Sequence, residues 1–399
     1  MSAQSFECYQ VLDELPSETG LVIFEWLRAV YLWSGIDERE RLAGLFQPLC
    51  EGCSTSWGAA SVDAALAPSA NAFRQLVMAP ERIRPDGLVH ACVELSDWAS
   101  DQGYPATSAL FAEAASALSP EDPDLAFRAG RANRRNVAHG RAVLWFQRGT
   151  GMARRTANWQ AYVDCWLGWG NLEIVRGRFD AARRLLIRAY RASQKYNLPE
   201  LGAAAQHDLF MLCVEQRQFS NAYKHAAEAL EAYSPDHPSY PYIVHDLAQT
   251  WARDGYGSVA LPLLVAVRQF ITAPSAQIQI AGNIAGAAGL VGDMDQFYAA
   301  WDYVSKHATR PMPYVAAALA TVAEGAFALR LNRQASEAAA SALRFAQQRQ
   351  EVADEKRASE LLDKLRQGAS PAPPRDPPEA IRNLAATLLS RLQERTEQG

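Results

Sequence analysis

Residues 166–190 read WLGWGNLEIVRGRFDAARRLLIRAY. Trp166, Trp169 and Gly170 stand three and one residues apart, Gly177 and Phe179 mark a turn, and Ala182, Leu186 and Ala189 follow at spacings of four and three. Apolar residues at i, i+3, i+4 and i+7 define one helical face on each side of that turn. An alanine at the point of closest crossing lets two helices approach, while larger residues fill the space beside it. The stretch holds no obvious catalytic group. Its regular small and large residues serve packing, and the question is what they pack against.

The neighbouring stretches answer it. RQFSNAYKHAAEALEAYSP (217–235) places Phe219, Ala222, Ala226, Ala229 and Pro235 at the same relative spacings as the second helix above. GYGSVALPLLVAVRQF (255–270) does so with Ala260, Leu264 and Val267, and GDMDQFYAAWDYVSK (292–306) with Phe297, Trp301 and Val304. Upstream, GYPATSALFAEAASALSP (103–120) supplies Ser108, Ala112, Ala115 and a closing Pro120, and LAFRAGRANRRN (125–136) carries Gly130 where the first stretch carries Gly170. Units so aligned begin near 89, 123, 163, 203, 241, 278 and 319. Helix pairs that cannot bury their faces alone must stack on near-copies of themselves.

This pattern resembles the tetratricopeptide repeat, W-x2-L-G-x2-Y followed by A-x3-F-x2-A. Trp166, Gly170, Ala182 and Ala189 match, and Leu186 stands in for the Phe; Trp169 and Glu173 depart from the Leu and Tyr positions. The spacings are mostly longer than the standard repeat, as in the degenerate arrays of bacterial regulators. The resemblance covers roughly residues 89–355. It implies an all-α protein: a right-handed α-solenoid of about seven TPR-like helix pairs with an N-terminal helical cap. It also implies first helices on a concave surface and second helices on the convex one.

The flanks set the domain expectations. Residues 1–85 fit the repeat poorly and read as a helical bundle or cap, with helices in ETGLVIFEWLRAVYLWSG (18–35) and IDERERLAGLFQPLC (36–50), then a stretch broken by Pro68. Repeats occupy 86–366, ending in a long charged helix at about 334–366. A Pro-rich linker of polyproline II character spans 367–378. Residues 379–399 form a last amphipathic helix with Ile381, Leu384, Leu388 and Leu392 on one stripe. The linker's reach allows docking on the array's own end, in its groove or on another molecule, and a terminal cap in cis is the favoured reading.

Composition narrows the function. Of 399 residues, 49% are hydrophobic and 21% charged, enough apolar material for a sizeable core. The N-terminus has no basic start or apolar run, and no stretch of about 18 apolar residues suggests a membrane span. Scattered cysteines fit a reduced, cytoplasmic setting. The net charge of −5 argues against wholesale nucleic-acid binding. It is unevenly spread: residues 1–124 hold 19 acids and 6 arginines, whereas 125–192 hold 14 arginines and 3 acids.

No reaction motif stands out. Cys50 and Cys53 form a lone C-x-x-C without the strand context of a thioredoxin or the further ligands of a zinc site, so no metal or other cofactor is expected. Arg128, Arg131 and Arg135 share a helix face, with Arg131 and Arg135 directed into the groove; Arg184, Arg188 and Arg191 do so on an outward-facing helix. Guanidinium groups pair bidentately with carboxylates and phosphates, so the first trio reads either as a docking site for an acidic ligand or as a solvated or internally paired surface. Groove positions of the following first helices hold Asn171, His207, Met211, His245, Gln249 and Arg253. Asn and basic residues hold peptide termini in some members of the family, although the Lys and second Asn of that clamp are not found together here.

The expected function is a non-enzymatic scaffold or sensor that binds a protein or peptide, including one with an acidic segment, through its groove. The alternative is a receptor for a small anionic or nucleic-acid ligand at the Arg-rich block 128–155. The repeat register itself is testable. Ala182→Trp should lower the melting temperature by the equivalent of about 1–3 kcal/mol, the usual cost of overpacking a close helix crossing. An unchanged transition would put Ala182 on the surface.

Overall fold

The computed structural model describes residues 10–42, 45–46, 63–310 and 312–398, and among these the chain forms nineteen α-helices and no strand. Three helices come first: Gln10–Glu14 (α1), Ser17–Ser34 (α2) and Ala67–Met78 (α3). Seven hairpins follow: Pro85–Asp101 with Pro105–Leu118 (α4, α5), Pro123–Arg135 with His139–Arg155 (α6, α7), and Trp159–Val175 with Phe179–Lys195 (α8, α9). Then come Pro199–Glu215 with Phe219–Ala232 (α10, α11), Tyr240–Arg253 with Gly257–Val267 (α12, α13), Pro274–Val291 with Met294–His307 (α14, α15) and Val315–Ala328 with Asn332–Arg349 (α16, α17). Val352–Arg366 (α18) and Glu379–Gln398 (α19) end the chain. It is an all-α helical repeat fold, and the seven hairpins begin within four residues of the starts read from the sequence.

One local geometry recurs in every hairpin. The turn between first and second helix contains a single residue in the left-handed region: Gly103, Val137, Gly177, Arg217, Gly255, Gly292 and Arg330. Five residues after each comes a buried position, Ser108, Ala142, Ala182, Ala222, Ala260, Phe297 and Ala335. Glycine adopts this backbone without a Cβ clash, so the three non-glycine turns are tolerated only because packing on both sides holds them.

The chain divides into two compact units, residues 1–201 and 202–399. In the first, α1 and α2 pack on α5, and α3 packs on α4. Trp26 stacks on Phe73, which meets Phe111 edge-on. Glu14 at the end of α1 accepts hydrogen bonds from the Ala106 and Thr107 amides, both at 2.7 Å. That carboxylate satisfies orphan N–H groups at the start of α5 and complements the positive end of its dipole. The polar start expected for a second N-terminal helix is not an α-helix: Glu38–Glu40 is a single 3-10 turn, while 43–44 and 47–50 lie outside the described residues. Pro68 opens α3 rather than breaking a helix, since a first-turn proline forfeits no intrahelical bond.

Within the repeats, the hairpin interface depends on small residues. A Cβ on Gly130 would lie 2.6 Å from Phe146, and one on Gly170 2.5 Å from Leu186, the second-helix residue sixteen positions on in both cases. In the second unit, first helices of successive repeats pack on one another, α12 on α14 and α14 on α16. The α14–α16 crossing is almost backbone to backbone: a Cβ on Gly289 would stand 2.3 Å from the Gly325 carbonyl oxygen.

Two further expectations are corrected at the C-terminal end. The single helix at 334–366 is two helices, because Gln350 takes a left-handed conformation at φ 55° and turns the chain. The last helix does dock in cis, but it does not cap the last repeat. It runs along α13, with Leu388 and Leu392 fully buried and Ile381 and Leu384 partly so. The α13 sequence GSVALPLLVAV is apolar nearly all round, so a second apolar surface must cover it. The non-helical stretch before α19 is fastened where the Arg375 amide donates to the Gly255 carbonyl (3.0 Å), and the far end where Arg395 donates to the Pro235 carbonyl (2.7 Å). Deleting residues 368–399 should therefore lower the melting temperature and raise binding of an apolar dye. A truncated chain that melts as the full one does would show that α19 adds nothing to the fold.

Candidate functional site

In the first unit, α6 contacts α8 directly, so these first helices form an inner layer. Arg128, Arg131 and Arg135 do share the face expected, but the face is not an uncompensated basic surface. Arg128 donates to both oxygens of Asp97 on α4, at 3.2 and 3.1 Å, and Arg135 donates to Ser100 on the same helix. Arg131 keeps an exposed surface although neighbouring atoms crowd its guanidinium, which lies 5.9 Å from the Phe127 ring. That burial, and then the like charges of Arg135, Arg134 and Arg128, bring its pKa down to about 10, still fully cationic at neutral pH. Asp164 on α8 is pushed up to about 6 by burial and by Asp124, with Arg131 opposing. Acids from the helices before and after thus interleave with the arginines. Asn171, also on α8, is half-buried and engaged within the chain.

Arg141 of α7 and Arg176 at the end of α8 serve structure. The Glu113 carboxylate is buried and accepts from Asn133 (2.7 Å), the Trp145 indole (2.8 Å) and Arg141. Glu173, at the Tyr position of the repeat, is likewise buried and accepts from Trp169 (3.2 Å) and Arg176 (3.1 Å). Both are internal anchors: a buried carboxylate is tolerated where cations and N–H donors converge on it.

The second unit holds the denser arrangement. Asp246 on α12 accepts from His207 Nε2 on α10 at 2.8 Å and from His245 Nδ1 at 2.9 Å. His245 Nε2 accepts from the Asn283 amide of α14 at 2.9 Å, and Asn283 Oδ1 accepts a longer bond from Gln249 Nε2 at 3.4 Å. These bonds form one directed relay across three successive first helices, in which every donor finds an acceptor with neutral His245 protonated at Nδ1. Beyond it, Gln249, Ala252, Arg253, Asn283, Gly286, Leu290, Thr321 and Glu324 line a pocket of about 150 Å³. On its far wall Arg357 of α18 clasps Glu324 (2.9 Å), Asp354 (3.1 Å) and the Thr321 hydroxyl (3.1 Å).

Against the expected residues, His207, Gln249 and Arg253 do lie on this inner face, Arg253 held loosely by Glu215 at 3.4 Å. His245 does not offer a nitrogen to a ligand: it is 4% exposed and both ring nitrogens are occupied inside the relay. Asp246, Asn283, Thr321, Glu324 and Arg357 went unread. Asn283 was visible as the one amide in the otherwise small and apolar run IAGNIAGAAG, residues 280–289. Cys50 and Cys53 lie outside the described residues. Among the described residues no group of three or more His, Cys, Asp and Glu side chains is arranged to hold a metal, and no helix is long and apolar enough to cross a membrane.

The hairpin geometry and the stacked first helices define the class of fold, a TPR-like helical repeat. No family model and no curated protein matches the chain. Among solved structures, the Rap conjugation gene regulator of plasmid pLS20, in complex with the Phr* peptide, aligns with a TM-score of 0.53 at 13% identity, over 84% of this chain and 96% of that one. The APC/C hetero-tetramer Cut9–Hcn1 aligns with a TM-score of 0.51 at 12% identity, over 88% of this chain and 63% of that one. At such identities the likeness is one of fold.

The relay has a pH signature. Burial opposes the charge on His207, but the bond and charge of Asp246 outweigh it and raise the imidazole pKa. Burial likewise opposes ionisation of Asp246, and the two imidazoles together hold it well below the carboxylate range. A raised histidine contributes stability that fades as pH rises through its folded pKa, and a depressed aspartate contributes stability that fades as pH falls through its own. Asp246→Asn should therefore cost about 2 kcal/mol, the worth of charge-assisted hydrogen bonds. The loss should be largest between about pH 4 and 6.5, the ordinary pKa values of the two groups. Thermal melts of both proteins across pH 3–9 measure it, and a difference independent of pH would contradict the ion pair.

Proposed function

We propose that this chain is a non-enzymatic scaffold that binds a protein or peptide segment along the inner face of its second unit. The supporting observation is the relay from His207 to Gln249, which ends in the Gln249 side-chain amide at the edge of an open pocket. A side-chain amide oriented in advance binds a peptide backbone with a smaller loss of rotamer entropy, since both a carbonyl and an N–H can be met. The fold agrees with this reading: the Rap regulator that aligns over most of the chain was solved with a bound peptide. A reducing, cytoplasmic setting fits the three described cysteines, Cys92, Cys165 and Cys213, which are free and buried. The anionic-ligand reading of the Arg block loses support, because Asp97 pairs with Arg128 and acids flank Arg131.

A display library of random 12-residue peptides panned on the immobilised protein tests the proposal. Recovered peptides should bind Gln249→Ala and Arg253→Ala variants at least tenfold more weakly, a loss of about 1.4 kcal/mol, with the helical signal unchanged. Recovery of no peptide by the wild type, or equal affinity for the variants, would count against the site.

A further inference from the structure

The outer helices of the second and third repeats carry a charge that the peptide site does not use. α7 and α9 together hold nine Arg and Lys and a single acid, Asp180. On α9, Arg184, Arg188, Arg191 and Lys195 are exposed and succeed one another at spacings of four, three and four, a line roughly 16 Å long at 1.5 Å per residue. Among the described residues none of the four meets a carboxylate. Arg188 is braced over the Trp166 ring at 4.1 Å and reaches the Tyr162 hydroxyl at 3.4 Å. Lys195 lies 5.0 Å from the Tyr196 ring.

Like charges at i,i+4 destabilise a helix. Elsewhere this chain avoids the penalty by pairing: Lys306 with Asp302, Arg333 with Glu337 and Lys356 with Glu360, each four residues apart on one helix. α9 is built the other way. α7 extends the surface with exposed Arg154, with Arg148 above the Trp145 ring, and with Leu144, an apolar side chain 65% exposed.

From this surface we infer that the outer face of α7 and α9 is a docking site for an acidic helical segment of a partner protein. A helix with acids at i and i+4 has the same rise as α9 and matches its cations pair for pair. Leu144, the sixth residue of α7 as Arg184 is of α9, supplies an exposed apolar anchor at the same register. Nucleic acid fits less well, because a duplex extends well beyond this line of cations, roughly 16 Å long, into a unit whose residues 1–124 hold 19 acids against 6 arginines. A short acidic helix feels chiefly the charges within a Debye length of about 8 Å. This surface is independent of the peptide site in the second unit, so either reading can fail alone.

The test uses the full chain and a fluorescein-labelled 18-residue alanine-based helix with glutamates at i and i+4 and one leucine. Fluorescence anisotropy should show binding that weakens with salt and falls at least tenfold in Arg184→Glu/Arg191→Glu. The same variant places Glu beside Arg188 and Lys195 at spacings of three and four, so its melting temperature should rise. Loss of binding in a more stable protein separates recognition from structure. If that variant fails to fold, Arg184→Gln/Arg191→Gln should still weaken binding. No binding to the wild type, equal affinity for the variants, or tighter binding of a 20-base-pair duplex or of anionic phosphatidylserine vesicles than of the peptide would overturn the inference.

Discussion

The structure depends on how closely helix backbones approach at residues without bulk. Phe146 and Leu186 reach the first helix of their own hairpins only because Gly130 and Gly170 leave room, and α14 meets α16 across Gly289 and Gly325. Interiors pack at crystal-like density, so a missing Cβ is occupied volume. The left-handed residue in each hairpin turn sets where the second helix starts, and the buried position five residues later sets how it lies. Repeating that pair of constraints seven times yields the array.

Close packing also explains the polar chemistry of the inner layer. First helices that touch bring a polar side chain of one within hydrogen-bond distance of the next, and groups so confined must satisfy each other. In the second unit this produced a directed relay from Gln249 through Asn283 and His245 to Asp246 and His207. In the first it interleaved arginines with Asp97 and Asp164. The relay leaves the Gln249 amide at a pocket edge, whereas the arginine layer consumes much of its own charge. The two inner faces therefore have different uses, despite a common repeat.

Outer helices face no such confinement, and there the chain varies most freely. α13 is apolar and is covered by α19, which folds back along it. α9 is cationic, and its Arg184, Arg188, Arg191 and Lys195 meet no carboxylate among the described residues, in contrast to the paired helices of later repeats. One outer surface is thus closed within the chain and the other is left open to water.

Much of the fold was legible in the sequence because helical packing is local and periodic. The recurrence of Ala182, Ala222 and Ala260 at fixed offsets from their turns, and of Gly130 and Gly170, marks hairpins without reference to anything distant. The break at Gln350 escaped that reading, since a left-handed glutamine leaves no gap in helical periodicity. The amphipathic stripe of α19 showed that Leu388 and Leu392 needed cover, but α13 as the cover was a matter of tertiary structure. The site divides in the same way. Positions on the inner face followed from register, which placed His207, Gln249 and Arg253 there. That Asn283 occupies His245 and that Arg357 clasps Glu324 required partners 38 and 33 residues away. Periodicity says which face a residue is on; only the stacking of one helix on the next decides what it meets there.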